Sequence, residues 1–150
     1  MPDCLIRLIY SKHMDFFILW ENDSFVIITL HNPHLAYSEG LHVIVSPKRT
    51  VANAWEDADL AAATFKLAAQ ACKIMEDKEL APWFNIQANG NWALLFGKKP
   101  SFHVHILGRN KTESWGKPVT LPEAPGTYHN APMPQTDREV LITAFSEQLC

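Results

Sequence analysis

Ser101-Phe102-His103-Val104-His105-Ile106-Leu107-Gly108-Arg109 is the stretch whose alternation decides how this chain is read. Polar and apolar residues alternate, and β-branched and aromatic residues are frequent, which predicts a strand. Residues two apart in a strand point the same way. The Ser101 hydroxyl and both imidazoles are therefore expected on one face, leaving Phe102, Val104 and Ile106 to bury the other. Two imidazoles beside a hydroxyl are costly to bury, so their face should open on a polar cleft. Gly97-Lys98-Lys99-Pro100 precede the stretch and Arg109 closes it. Titratable nitrogens flanked by cations point to an anionic substrate.

Working outward, Glu21-Asn22-Asp23-Ser24 separates two apolar runs, residues 16–20 and 25–30, in the manner of a hairpin. Asp57 can cap a helix over residues 58–78, rich in alanine and leucine, and Pro82 lies where it must have stopped. Residues 83–88 then alternate loosely and lead as a strand into an Asn89-Gly90-Asn91 turn. These elements predict an α+β unit: an antiparallel sheet of about five strands with one main helix packed on one face. Five prolines, Pro118, Pro122, Pro125, Pro132 and Pro134, exclude regular helix from the next segment, which is read as an extended arm. Val140, Leu141, Ala144, Phe145 and Leu149 then fall at helical spacing, with Thr136 as the expected cap. The expected division is a main unit over residues 1–117, with an arm and C-terminal helix over residues 118–150 packed on it.

Composition sets the class. At 47% hydrophobic residues the chain is not disordered, and a net charge of −3 offers no broad surface for nucleic acid. The longest apolar runs fall far short of the about 20 residues of a membrane span. The N-terminus lacks the basic start and continuous apolar run of a signal peptide. Cys4, Cys72 and Cys150 are widely spaced and belong to no motif. Reduced thiols in a cytoplasmic protein are the expectation.

The histidine stretch resembles the signature of the histidine-triad (HIT) family of nucleotide hydrolases and transferases. In that signature three histidines alternate with apolar residues on one strand, often followed by Leu-Gly-Gly-Arg or a close variant. His103 and His105 match the second and third histidines, Leu107-Gly108-Arg109 matches the tail, and Ser101 stands where the first histidine would be. Upstream, Asn32-Pro33 and then Gly40-Leu41-His42-Val43-Ile44-Val45-Ser46-Pro47-Lys48 look like the family's second block, with its usual Gly-His histidine one place late at His42. Asn89-Gly90 matches an asparagine the family carries before the triad strand. The likeness runs over residues 15–109, in the family's order.

The chemistry fits those residue types. Imidazole is largely unprotonated near neutral pH and is a good nucleophile. Attack on phosphorus by a fixed histidine splits one hard displacement into two easier ones. By resemblance His103 is the nucleophile. His105 can donate to a phosphate or bridging oxygen, as can Asn89, while the loop over residues 97–99, with Lys98, could supply amides or charge. A hydroxyl at Ser101 replaces one hydrogen bond of an imidazole but carries no proton near neutral pH. The resemblance further implies that Asn32 holds the ribose hydroxyls, with Leu30 and Phe25 lining an adenine site. The implied activity is hydrolysis of a nucleoside phosphoramidate, adenylate or dinucleoside polyphosphate to a nucleoside monophosphate through a nucleotidyl-histidine, with no metal or other cofactor. Two alternatives compete: a nucleotide-binding module that has lost catalysis, and a zinc enzyme using His103 and His105 with His42, His31 or Asp57 as a third ligand. His13, His31, His34 and His129 show no partner in the sequence and are read as surface or loop residues.

A homodimer, joined sheet edge to sheet edge beside the main helix, is also implied by the resemblance. Leu60, Phe65, Leu67, Ala68, Cys72 and Met75 lie on more than one side of that helix, more than one sheet face can cover. The other way to cover them is for the arm and C-terminal helix to fold back within one chain.

Overall fold

The computed structural model describes residues 15–110, 117, 119, 121, 124 and 126–149. Cys4, His13, Trp115, Pro118, Pro122, Pro125 and Cys150 lie outside the described residues.

Asn22 makes the first turn. Its Oδ1 accepts from the amides of Ser24 and Phe25 at 2.9 and 2.8 Å, which folds β1 (Phe16–Glu21) onto β2 (Phe25–Leu30). β3 (Gly40–Pro47) follows, then helix α1 (Ala58–Asp77), strand β4 (Trp83–Gln87), a short helix α2 (Asn91–Leu95), strand β5 (Val104–Arg109) and helix α3 (Gln135–Gln148). The strands form one five-stranded sheet in the order β1-β2-β3-β5-β4, every neighbouring pair antiparallel. The α+β architecture is the one expected. No described helix is long and apolar enough to cross a membrane.

Register divides the sheet into two faces. Val43 is paired with Ile106 and Val45 with Val104, and these β-branched side chains, all fully buried, face the core with Ile27. Against them lies α1, capped by Asp57, whose side chain accepts from the Leu60 amide at 2.9 Å. Helix α3 folds back over α1 and β1, bringing Leu141 and Phe145 into the core at 0% exposure. Each such side chain contributes about 1.5–3 kcal/mol on burial. The second side of α1 is thus covered in part by the chain's own C-terminal helix. On the opposite sheet face, His42 is paired with Leu107 and Ile44 with His105.

Three local readings are corrected. Strand β5 begins at Val104, so Ser101 and His103 precede it; Phe102 is held there by donating its amide to the Val51 carbonyl at 2.8 Å. The Asn89-Gly90-Asn91 segment enters a helix instead of a simple turn. Thr136 lies inside α3, which is capped two residues sooner, at Pro134, because that residue, at φ −52°, presets the chain and its carbonyl accepts the first helical amides.

The β3–β5 pairing is closest at its end. A Cβ on Gly40 would lie 1.7 Å from the Gly108 carbonyl oxygen, a backbone atom that cannot swing away. Gly40→Ala is therefore expected to destabilise by the upper end of about 1–3 kcal/mol or more, read as a lowered urea midpoint. An unchanged midpoint would contradict the close approach.

Candidate functional site

The site is built on the sheet face opposite α1 and α3, with α2 at its side. β3 and β5 are neighbours in register, so His42 and His105 meet across them, Nε2 to Nδ1 at 2.9 Å. His105 Nε2 then lies 3.0 Å from His103 Nε2, and His103 Nδ1 lies 2.8 Å from the backbone carbonyl of Ser101. At the other end the backbone amide of His34 donates to His42 Nδ1 at 3.1 Å.

That amide settles every proton in the line. A backbone N–H can only donate, so His42 Nδ1 is an acceptor and its hydrogen sits on Nε2. His42 therefore donates to His105 Nδ1, His105 carries its hydrogen on Nε2 and donates to His103 Nε2, and His103 donates from Nδ1 to Ser101. The lone pair of the line ends on His103 Nε2.

Burial keeps the inner rings neutral. His42 and His105 are 2% and 4% exposed. Desolvation, then the neighbouring His103 and His34, pushes His105 down to about 3. Burial, followed by the charges of His105, His34 and His103, holds His42 well below the ordinary imidazole value. His34 is also lowered, by burial and then by His103. Two buried imidazoles are tolerable because each ring nitrogen in the line has a partner. The cleft need not supply polar cover, and most of its lining is apolar.

That cleft has a volume of about 390 Å³, within the range of small-molecule sites. His103, His105, Ser101, Asn89 and Lys98 all line it, with Leu30 and Ile44 from β2 and β3. Ser101 is exposed there, and its link to His103 runs through the backbone carbonyl. Asn32 is exposed and Phe25 packs against the core; neither lines the cleft. The amides of the Gly97–Lys98 turn are spent on the end of α2: Gly97, at φ +64°, donates to Leu94 and Lys98 to Ala93. They are not free to bind phosphate.

His34 is the residue that sequence reasoning missed. Its ring stacks on Tyr128 at 4.7 Å between centroids and lies 4.7 Å from the His42 ring. Its partner comes from the C-terminal arm, so no local pattern could have singled it out. His31 packs on Phe17 and Asp57 caps α1, which leaves neither near the line. Among the described residues, His34, His42 and His105 are the one histidine, cysteine or carboxylate group compact enough for a metal, with ring nitrogens within 4.8 Å of one another. To hold a cation, His42 and His105 would have to exchange their mutual hydrogen bond for it.

No family model and no curated protein matches the chain. Solved structures do. A histidine triad protein from Sinorhizobium meliloti 1021 superposes with a TM-score of 0.63 at 17% identity, covering 89% of this chain and 90% of that one. A zinc-bound histidine triad family protein from Mycobacterium smegmatis gives 0.62 at 16%, covering 87% and 84%. A hypothetical histidine triad nucleotide-binding protein from Sulfolobus tokodaii strain 7 gives 0.58 at 19%, covering 91% and 85%. The chain therefore has the fold of the histidine triad proteins.

The neutral line has a consequence for stability. Unfolded imidazoles take up protons below about 6.5, whereas folded His105 does so only near about 3. Between those values the unfolded chain binds more protons, so this contribution is complete above about pH 6.5 and is lost as pH falls toward 3. The urea midpoint should drop across that window, and less steeply in His105→Gln. Identical slopes for the two proteins would contradict a buried neutral His105.

Proposed function

We propose that the chain is a nucleotidyl-transferring hydrolase that releases a nucleoside monophosphate through a covalent intermediate on His103. The observation that carries this reading is the hydrogen-bonded line of imidazoles that ends with His103 Nε2 at the cleft.

In the resting site the His105 N–H occupies the His103 lone pair. A phosphoryl oxygen brought in beside the phosphorus is a charged and therefore stronger acceptor for that hydrogen. As His105 turns its donor to the oxygen, His103 Nε2 is freed to attack. The N–P bond forms, the bond to the leaving group breaks, and the leaving group departs with the electron pair. The Nδ1–H bond to the Ser101 carbonyl stabilises the imidazolium that results, the role a backbone acceptor can fill whatever side chain residue 101 carries. Lys98 and Asn89, at the rim, balance the charge on the phosphate oxygens. Water then cleaves the N–P bond and His103 leaves as neutral imidazole. The nucleoside, with adenine as the default base, lies toward Leu30 and Ile44.

The reading extends to assembly. β4 is an edge strand, and Trp83 on it is 63% exposed while Ile86 is 38% exposed. β1, at the other edge, is packed by α3. An antiparallel pairing of β4 with its copy would extend the sheet and cover an edge that no described strand pairs. A second reading, zinc held by His34, His42 and His105, draws on the closeness of those rings. Metal analysis of protein purified without a histidine tag separates it from the first.

With a panel of adenylylated compounds, His103→Ala should abolish nucleotide release while the circular dichroism spectrum is retained. His105→Ala should slow turnover about 10²–10³-fold, the scale for losing one charge-stabilising donor. Ser101→Ala should stay close to the unsubstituted protein, because only its carbonyl is used. Turnover by His103→Ala, or its loss in Ser101→Ala, would overturn these roles.

Light scattering should give a mass near twice 17.0 kDa, falling to the single-chain value in Ile86→Lys. A monomer before substitution would sink the dimer.

A further inference from the structure

A fourth imidazole stands beside the line without belonging to it. The His34 ring lies 4.7 Å from the His42 ring and 5.7 Å from the His105 ring, centroid to centroid, beside the hydrogen bond that joins those two. The same ring is stacked on Tyr128, 4.7 Å away and 23° from parallel. His34 enters the line through its backbone amide alone: among the described residues neither of its ring nitrogens makes a hydrogen bond. One of them nonetheless lies within 4.8 Å of a ring nitrogen on each of His42 and His105.

That closeness sets a constraint. A neutral imidazole both donates and accepts. Turned about its side-chain bonds, His34 would offer a nitrogen to the His42 N–H or an N–H to His105 Nδ1, and the partners that fix the direction of the line would be exchanged. What holds the ring is the stack, which fixes its plane and with it where its nitrogens point. Tyr128 comes from the arm after β5, and the arm is tied to the same loop beside the stack, where Asn130 donates to the Pro33 carbonyl at 2.8 Å. His34 and Tyr128 both line the cleft, next to His105. Resting on the nucleotidyl-transfer reading, we infer that Tyr128 is a positioning residue that clamps the His34 ring and keeps a competing imidazole out of the line. Its aromatic ring does this and its hydroxyl does not. Position 34 then serves the line through a backbone amide and a flat ring, with no call on its imidazole nitrogens.

Tyr128→Ala and Tyr128→Phe, assayed in the full chain with the adenylylated compounds, test this. Tyr128→Ala should lower kcat about tenfold, the scale of one aromatic contact, and Tyr128→Phe should restore it. In long-range ¹H–¹⁵N spectra His42 should keep a single tautomer in Tyr128→Phe and show averaged nitrogens in Tyr128→Ala. The deciding variant joins Tyr128→Ala to His34→Phe, which keeps the amide at position 34 and removes the competing nitrogens. It should recover the single His42 tautomer and most of kcat, a recovery that a residue merely shaping the cleft or bracing the loop would not give. A His42 signature unmoved in Tyr128→Ala, or disturbed there and not recovered in the double variant, overturns the role, as does Tyr128→Phe behaving like Tyr128→Ala. If the unsubstituted chain turns over none of the compounds, the nucleotidyl-transfer reading fails, and the His42 spectra of the same variants decide the role of Tyr128 by themselves.

Discussion

One backbone amide, that of His34, governs the chemistry this fold can perform. By donating to His42 Nδ1 it fixes the hydrogen of His42 on Nε2, and each later ring has only one arrangement left. An imidazole free to choose its tautomer would present a lone pair on the wrong nitrogen part of the time. Here the choice is made deep in the fold and transmitted outward to His103. Burial supports the same outcome, because desolvation holds His42 and His105 neutral. Neutral rings can both accept and donate, as a line of this kind requires.

The rest of the structure keeps that amide in place. The loop bearing His34 is pinned from the C-terminal side: its ring stacks on Tyr128, the Pro33 carbonyl accepts from Asn130 at 2.8 Å, and Tyr37 donates its hydroxyl to Asp137 on α3. Arg138 lies over the Phe17 ring, 3.8 Å from its centroid, and ties α3 to β1. The segment after β5 thus serves both the core, through Leu141 and Phe145, and the site, through the loop it holds. From below, the close β3–β5 approach at Gly40 and Gly108 brings His42 and His105 within hydrogen-bonding distance.

Much of the fold was legible because its signals are local. Asn22 at the hairpin, Asp57 at the start of α1 and the apolar alternation of β5 each act on the backbone within a few residues. The His103–His105 pair was legible for the same reason, and His42 through its place in a second block of likeness. His34 was not, because its ring partner Tyr128 is distant in sequence. Nor was the part played by Ser101, since a backbone carbonyl leaves no mark on residue type. Helix α2 was missed because five residues carry too little periodicity to separate a helix from a turn. Its one signal was Gly97, placed where a helix closes with a left-handed residue.

The central claim is the direction in which protons are arranged along the histidine line. Long-range ¹H–¹⁵N correlation spectra of the uniformly ¹⁵N-labelled chain near neutral pH read each ring directly. The account predicts His42 and His105 neutral with hydrogen on Nε2, and His103 in its neutral form carrying hydrogen on Nδ1. A His103 ring protonated on Nε2 would leave no lone pair facing the cleft and would contradict it.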